Sequence, residues 1–148
     1  MKYALLVAGV LALGVGAVSA QQDVVKDRQA QMKATGRALG GTLSAMAKGD
    51  KPYDQAAVDA AFVTLTETAT KLPALFPEST KGLKEGTEYA TSPKVWEDKA
   101  GFAAHIADFS KAVSETKVKV KDLDSLKANV GAIGKQCGSC HETYRLKS

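Results

Sequence analysis

Cys137-Gly138-Ser139-Cys140-His141 is the most specific pattern in this sequence, and its histidine lies seven residues before the carboxyl-terminal Ser148. A Cys-x-x-Cys-His run is typical of covalent haem attachment, because each thiol can add to a haem vinyl group while the adjacent imidazole binds the iron. Apolar residues at spacings of three and four lead into the motif, which places it on the last helix of the chain. We therefore predict one covalently bound haem c with its iron, attached through Cys137 and Cys140, with His141 as proximal ligand.

Three other interpretations of the motif are a thioredoxin-like redox pair, a zinc site and a structural disulfide. A thioredoxin-like Cys-x-x-Cys normally starts a helix that follows a strand, and no segment here alternates with the period of a strand. A zinc site needs about four ligands, and the sequence adds only His105 to the motif itself. The disulfide stays open as the simplest alternative, although the adjacent histidine and the helical setting favour haem.

The first twenty residues have the pattern of a secretory signal peptide. Lys2 gives a basic start, an apolar run extends from Ala4 to Val18, and the small residues before Gln21 suit a signal peptidase. The run is shorter than the roughly 20 residues of a membrane-spanning helix. We therefore expect residues 1–20 to be cleaved, leaving residues 21–148 as one domain in the periplasm without a membrane anchor.

The charge of the chain argues against nucleic-acid binding. Twenty Lys and Arg stand against sixteen Asp and Glu, a formal net charge of +4, and the basic residues are scattered rather than interleaved with aromatics in one run. An acidic redox partner would suit this weak positive charge, but the sequence does not locate a docking patch. We expect an unidentified periplasmic redox partner and no nucleic acid.

Prolines divide the mature chain into four amphipathic segments with helical periodicity. The four prolines are Pro52, Pro73, Pro77 and Pro93. The segments comprise residues 23–48, residues 54–72 capped by Asp54, a third helix capped by Ser92, and a fourth that begins near Asp122 or Asp124. Four helices of similar length predict an all-α, antiparallel up-down-up-down four-helix bundle that carries a covalently bound haem. Residues 73–91 form a long connection that we expect to cover one end of the bundle.

Bundle geometry selects a candidate for the second iron ligand. In this topology the start of the first helix lies level with the end of the fourth. At a rise of 1.5 Å per residue, His141 lies about 10 Å and Met32 about 14 Å from that end. Met46 lies about 21 Å further along the first helix, and His105 is expected well above the haem level at the edge of the core. Met32 is therefore the candidate distal ligand, with core packing without ligation as its alternative.

The occupant of the sixth iron position separates two functions. If a side chain binds there, the iron is low-spin and suits electron transfer, whereas an open position admits small gases. We expect a low-spin, single-haem electron carrier with His/Met ligation and no enzymatic reaction. The alternative is a high-spin, five-coordinate protein with a vacant distal site that binds NO or CO.

Several stretches resemble the class II c-type cytochromes, the family of cytochrome c′ and its low-spin relatives. These stretches are Arg28-Gln29-Ala30-Gln31-Met32, Lys51-Pro52-Tyr53-Asp54, Pro93-Lys94-Val95-Trp96 and residues 137–145. Within the class the chain is most similar to the low-spin cytochromes c-556, through residues 47–61 and 72–77. The resemblance implies a four-helix bundle with its haem near the carboxyl terminus and, in the low-spin members, a methionine ligand that falls on Met32.

The resemblance also implies roles for residues around the haem. Arg28 matches a basic residue that pairs with a haem propionate, with a solvated helix face as the alternative. Arg145 matches an arginine that influences access to the proximal face, with a plain surface position as the alternative. Further pocket candidates, each with an ordinary core position as the alternative, are Phe76, Trp96, Phe102 and Tyr144. A homodimer through the first helix is a further expectation. The alternative is that Gly36, Gly40 and Gly41 on that helix serve close packing against the haem or another helix.

Overall fold

Four long helices dominate the fold of the computed structural model, which describes residues 4–83, 85–86 and 90–146, with side chains from Ala20 onward. Its elements are α1 (Ala4–Gly36), a π-helical segment (Arg37–Ser44), α2 (Ala45–Lys48), α3 (Gln55–Lys71), 3₁₀ helices at Leu72–Leu75 and Glu78–Thr80, α4 (Lys94–Glu97), α5 (Lys99–Lys119) and α6 (Leu123–Tyr144). Within the described residues there is no strand, only an isolated bridge between Thr91 and Arg145. The predicted all-α class is confirmed.

One apolar core joins the long helices into a bundle. Its most deeply buried side chains come from every long helix and include Leu43, Phe62, Leu65, Val113, Leu126 and Ile133. α5 packs against α3 and α6, while the π-helical segment packs against α3 and α6. Met46 is 4 % exposed within this core, as predicted. The chain therefore buries the faces that its periodicity marked as apolar, and the predicted four-helix bundle is confirmed.

Two of the long helices begin at the residues that the sequence predicts. The Asp54 carboxylate accepts a hydrogen bond of 2.9 Å from the Ala57 N–H at the start of α3. Asp122 and Ser125 form a capping box before α6, with 2.8 Å from the Ser125 N–H to Asp122 Oδ1. Caps of this kind each stabilise a helix by about 1 kcal/mol, because they satisfy backbone donors that have no partner within the helix.

The third long helix begins later than predicted. The chain forms the short α4 after Pro93 and then breaks at Asp98, where φ is −123° and ψ is 63°. The Asp98 carboxylate accepts from the Gly101 N–H at 3.0 Å and thereby caps α5. A capping residue needs a non-helical backbone, so the continuous helix predicted from Ser92 is wrong, and α5 starts at Lys99.

The first long helix contains a π-helical turn that its periodicity did not predict. Buried positions before, within and after the turn are Val25, Arg28, Thr35, Ala38, Leu43 and Met46, of which Ala38 and Leu43 lie within it. The step of five residues from Ala38 to Leu43 exceeds the three or four of an α-helix and fits the i to i+5 bonding of a π-helix. Such turns occur frequently at functional sites.

The connection before α4 closes one end of the bundle, as expected, but it is not structureless. It contains the two 3₁₀ helices, and it is fastened to the end of α6 by two backbone hydrogen bonds. The Ser92 N–H donates to the Tyr144 carbonyl at 3.0 Å, and the Leu146 N–H donates to the Ala90 carbonyl at 3.0 Å.

No helix in the described part of the chain is sufficiently long and apolar to cross a membrane. The signal peptide itself stays a prediction.

Candidate haem site

A cavity of about 820 Å³ lies between α1, the π-helical segment, α5 and α6. This volume falls within the range of ligand pockets, which hold about 300–1,000 Å³. Nine of the ten predicted haem-site residues line it: Arg28, Met32, Phe76, Phe102, Cys137, Cys140, His141, Tyr144 and Arg145. The fold thus brings residues that are more than one hundred positions apart in sequence to one site.

One wall of the cavity carries the Cys-x-x-Cys-His motif on the last turns of α6. Residues three and four apart share a helix face, so Cys137, Cys140 and His141 all reach the cavity. Cys137 packs against the main core, whereas Cys140 packs against a smaller cluster around Trp96. Partial burial, aided by the positive charge of Arg145, lowers the pKa of His141 and favours the neutral imidazole that binds a metal.

The surroundings of the two cysteines disfavour the thioredoxin-like and zinc interpretations. Burial raises the pKa of the Cys137 thiol, and it raises that of Cys140 to about 11. A redox-active Cys-x-x-Cys needs the opposite shift, because the thiolate is the nucleophile. The described residues also contain no group of three or more His, Cys, Asp or Glu that could hold a metal ion, so a zinc site lacks its ligands.

Met32 and three glycines form the wall on the first helix. Met32 is half-buried and packs against the main core. Gly36, Gly40 and Gly41 also line the cavity, and a Cβ added at any of them would meet nothing within 4 Å. These positions present open backbone rather than side chains, as a flat ligand requires. Two thiols, an imidazole, the Met32 thioether in the same cavity and this open wall together fit a covalently held haem.

Arg28 is buried at the edge of the cavity, where it pairs with an acid that the sequence did not reveal. It is 3 % exposed, so the alternative of a solvated helix face is wrong. Nη1 donates to the Leu75 carbonyl at 2.9 Å, Nη2 pairs with Glu85, and the guanidinium lies 4.6 Å from the Phe76 ring centroid. The buried Nε has no partner among the described residues. Burial lowers the pKa of Arg28, and Glu85 opposes that shift.

Glu85 fastens the long connection to the first helix. Its side chain is 3 % exposed, its Oε2 accepts 2.8 Å from the Thr91 hydroxyl, and its backbone carbonyl accepts 2.8 Å from Gln29 Nε2. Fifty-seven positions separate Glu85 from Arg28, and no local pattern in the sequence links the two. The pair therefore fixes both the connection and the Arg28 side chain beside the cavity.

Aromatic side chains close the end of the cavity around Tyr144. The Tyr144 hydroxyl donates to Asp98 Oδ2 at 2.7 Å. Its ring meets the Phe102 ring edge-on at 5.1 Å, and Phe102 meets Phe76 edge-on at 4.8 Å. Burial, together with the hydrogen bond to Asp98, raises the pKa of Tyr144 to about 12. The same hydrogen bond and the capped Gly101 N–H lower the pKa of Asp98.

Trp96 departs from the prediction, because it is not among the residues that line the cavity. It is buried with Val95 and Tyr144, and its indole N–H donates to the carbonyls of Phe76 and Pro77 at 3.1 and 3.2 Å. A buried indole needs such a partner, and these carbonyls draw the ring behind Phe76. Trp96 therefore supports a wall of the cavity and does not form one.

His105 also departs from its prediction, in the opposite direction. It lines the cavity, its ring lies 5.5 Å from the Tyr144 ring, and its buried Nδ1 has no hydrogen-bond partner among the described residues. The prediction that it lies well above the haem level is wrong, because α5 starts at Lys99 and His105 is only six residues into the helix.

Comparison with known proteins identifies the family. A family model described as Cytochrome C′ matches residues 23–145. The chain belongs to the cytochrome c′ family. Proteins of this family carry one covalently bound haem c with its iron, so the predicted cofactor is confirmed. The match begins after the segment predicted to be a signal peptide.

Relatives of this chain come from both branches of the cytochrome c′ family. Cytochrome c-556 of Rhodopseudomonas palustris is 53 % identical over 99 % of each chain. Cytochrome c′ of the same species is 40 % identical over 95 % of this chain and 94 % of that protein. An NMR-validated structural model for oxidised R. palustris cytochrome c556 superposes with a TM-score of 0.75 at 54 % identity, covering 86 % of this chain and 98 % of that one. The predicted likeness to the cytochromes c-556 is confirmed.

Proposed function

We propose that this chain is a periplasmic, single-haem electron carrier whose iron is held between His141 and Met32. The observation that carries the proposal is the cavity that the motif on α6 and Met32 on α1 both line. The haem supplies a one-electron couple, and a thioether opposite an imidazole favours the reduced state relative to two imidazoles. Electrons would pass between the haem and a redox partner at the cavity opening, and no substrate would be chemically converted.

The protein's own residues would hold the haem and limit its rearrangement. Thioether bonds from Cys137 and Cys140 would retain it in both oxidation states. Two of the polar groups around it already have partners: Arg28 Nη2 is paired with Glu85, and the Tyr144 hydroxyl is bound to Asp98. Groups held in this way need little reorientation when the charge at the iron changes.

Export to the periplasm is part of the proposal. The amino-terminal pattern of a basic start, an apolar run and small residues supports it. Covalent attachment also suits an exported carrier, because the haem cannot be lost by dissociation. Detection of the mature protein with Gln21 as its amino terminus, by mass spectrometry of a periplasmic extract, would test the cleavage site.

A matched pair of methionine variants tests the ligand assignment. Met32→Leu and Met46→Leu both keep the side-chain volume and remove the sulfur, and such swaps usually cost below about 1.5 kcal/mol. The oxidised wild-type protein should show the near-infrared charge-transfer band of methionine bound to ferric iron. Met32→Leu should abolish this band and Met46→Leu should retain it, because Met46 lies in the core outside the cavity lining. A high-spin wild-type spectrum without the band would contradict the proposal.

A second candidate is a gas-binding protein with a vacant distal site. The observation that favours it is the open backbone at Gly36 and Gly40, which continues the cavity along the helix beyond Met32. The likeness to a cytochrome c prime variant of Alcaligenes xylosoxidans that was solved as a nitric oxide complex, at 29 % identity, supports it as well. Mixing the reduced protein with CO separates the two: the electron carrier should be unreactive until Met32→Leu opens the site. Rapid CO binding to the wild-type protein would favour the gas-binding candidate.

A further inference from the structure

The charged side chains that line the cavity all have one sign. They are Arg28, Lys33, Arg37 and Arg145, and the lining contains no described Asp or Glu. Arg28 is buried and paired with Glu85, so it does not contribute to the exposed rim. The rim is therefore basic, although the formal net charge of the whole chain is only +4.

Arg37 and Arg145 reach this rim from two different helices. Arg37 opens the π-helical segment, Arg145 directly follows α6, and both side chains are exposed. Neither forms an ion pair with any described residue, whereas elsewhere exposed lysines do pair with acids, as Lys71 does with Glu67. Unneutralised charge at the mouth of an apolar cavity focuses the local field and raises the association rate of oppositely charged molecules.

The backbone beside Arg37 allows a partner to approach closely. Gly40 and Gly41 are exposed, line the cavity and have open space where a Cβ would stand. At this edge Lys51 Nζ donates a 2.8 Å hydrogen bond to the Gly41 carbonyl, so a partner that approaches the glycine backbone also meets a further positive charge. The positive charge and the side-chain-free glycine positions thus both favour partner docking at the cavity mouth.

We propose that this cavity mouth is the docking surface for a redox-partner protein that presents a cluster of carboxylates, with Arg37 and Arg145 as its principal contacts. The inference rests on the proposed electron-carrier function and adds the place and chemistry of the encounter. Complementary charge acts mainly on the association rate and is screened by salt. Electron transfer to anionic acceptors should therefore be fast at low ionic strength and should slow as salt is added.

The test uses two inorganic oxidants of opposite charge on the reduced holoprotein. Stopped-flow oxidation by ferricyanide should slow with increasing ionic strength, whereas oxidation by a cationic cobalt–phenanthroline complex should not. The double variant Arg37→Gln/Arg145→Gln should lower the ferricyanide rate about tenfold at low salt. The control Lys117→Gln/Lys127→Gln removes the same net charge from exposed positions outside the cavity lining, and it should leave most of the rate intact.

The outcomes distinguish failure of the proposed docking surface from failure of the proposed electron-carrier function. Equal loss of rate in both double variants would assign the effect to net charge and overturn the inference. An altered haem spectrum in the arginine variant would assign these arginines to the haem itself and would also overturn it. Failure of both oxidants to react with the reduced wild-type protein would instead overturn the proposed electron-carrier function, and the docking surface with it.

Discussion

Replacing Gly101 with alanine sets two physical effects of opposite sign against each other. Gly101 lies in the first turn of α5, and alanine is favoured over glycine in a helix by about 1 kcal/mol. Helix propensity alone therefore predicts that Gly101→Ala stabilises the protein. The structure predicts the reverse, because a Cβ there would overlap the Asp98 carboxylate and lie 2.5 Å from the Tyr144 hydroxyl.

The overlap should outweigh the gain in propensity. Adding a methyl group to a filled site typically costs 1–3 kcal/mol, and here the atoms in the way already cap α5 and bind Tyr144. The upper part of that range applies, because three heavy atoms would lie within 3 Å of the new carbon. After subtraction of the propensity gain, we expect Gly101→Ala to lower the free energy of unfolding by about 1–2 kcal/mol.

Denaturant unfolding of the holoprotein, followed by circular dichroism, measures this change. Gly131→Ala is the matched control, since Gly131 lies exposed within α6 and a Cβ there would meet nothing within 4 Å. This control should stabilise the protein by about 0.5–1 kcal/mol. If Gly101→Ala stabilises it equally, the contact between Asp98, Gly101 and Tyr144 does not exist as described.

Two further predictions concern buried polar groups at the cavity. Glu85→Gln leaves Arg28 buried without its counter-ion and should lower the free energy of unfolding by about 3–5 kcal/mol. The control Glu67→Gln breaks an exposed pair and should lower it by less than about 1 kcal/mol. Similar losses in the two variants would contradict the buried pair. Because the folded pKa of Tyr144 is raised to about 12, its contribution to stability should be complete below about pH 10 and be lost as the pH rises through 12. Tyr144→Phe should remove this loss from the alkaline unfolding profile, and an unchanged profile would contradict it.

Local patterns predicted most of the bundle. Prolines and 3.6-residue periodicity marked the four long helices, and single acidic residues marked two of their starts, at Asp54 and Asp122. These signals succeed because capping and amphipathicity act within a few residues of each other. The break at Asp98 was missed although its cap on the Gly101 N–H is local, and nothing in the sequence indicated the hydrogen bond from the Tyr144 hydroxyl, 46 positions away, to the same carboxylate.

The prediction of the candidate site was only as accurate as the prediction of the helix ends on which the site depends. The axial position of Met32 relative to α6 was predicted by counting residues from the ends of the two helices. The structure places Met32 in the same cavity as His141. His105 was misplaced because the predicted start of the third helix was early, which displaced the residue by about seven positions, or about 10 Å along the axis. Glu85 had no local signal, because it lies in an irregular connection and its role depends on a distant arginine.

The π-helical turn between Ala38 and Leu43 has a consequence for how chain length can vary in relatives. Removing one residue from this stretch would turn its five-residue step into the four-residue step of an α-helix, and the buried faces on both sides would keep their orientation. Elsewhere in the first helix the same deletion would rotate everything beyond it by about 100° and expose core side chains. Single-residue length differences should therefore be tolerated here, and relatives that carry one would differ in the shape of the wall beside the haem while keeping the same core.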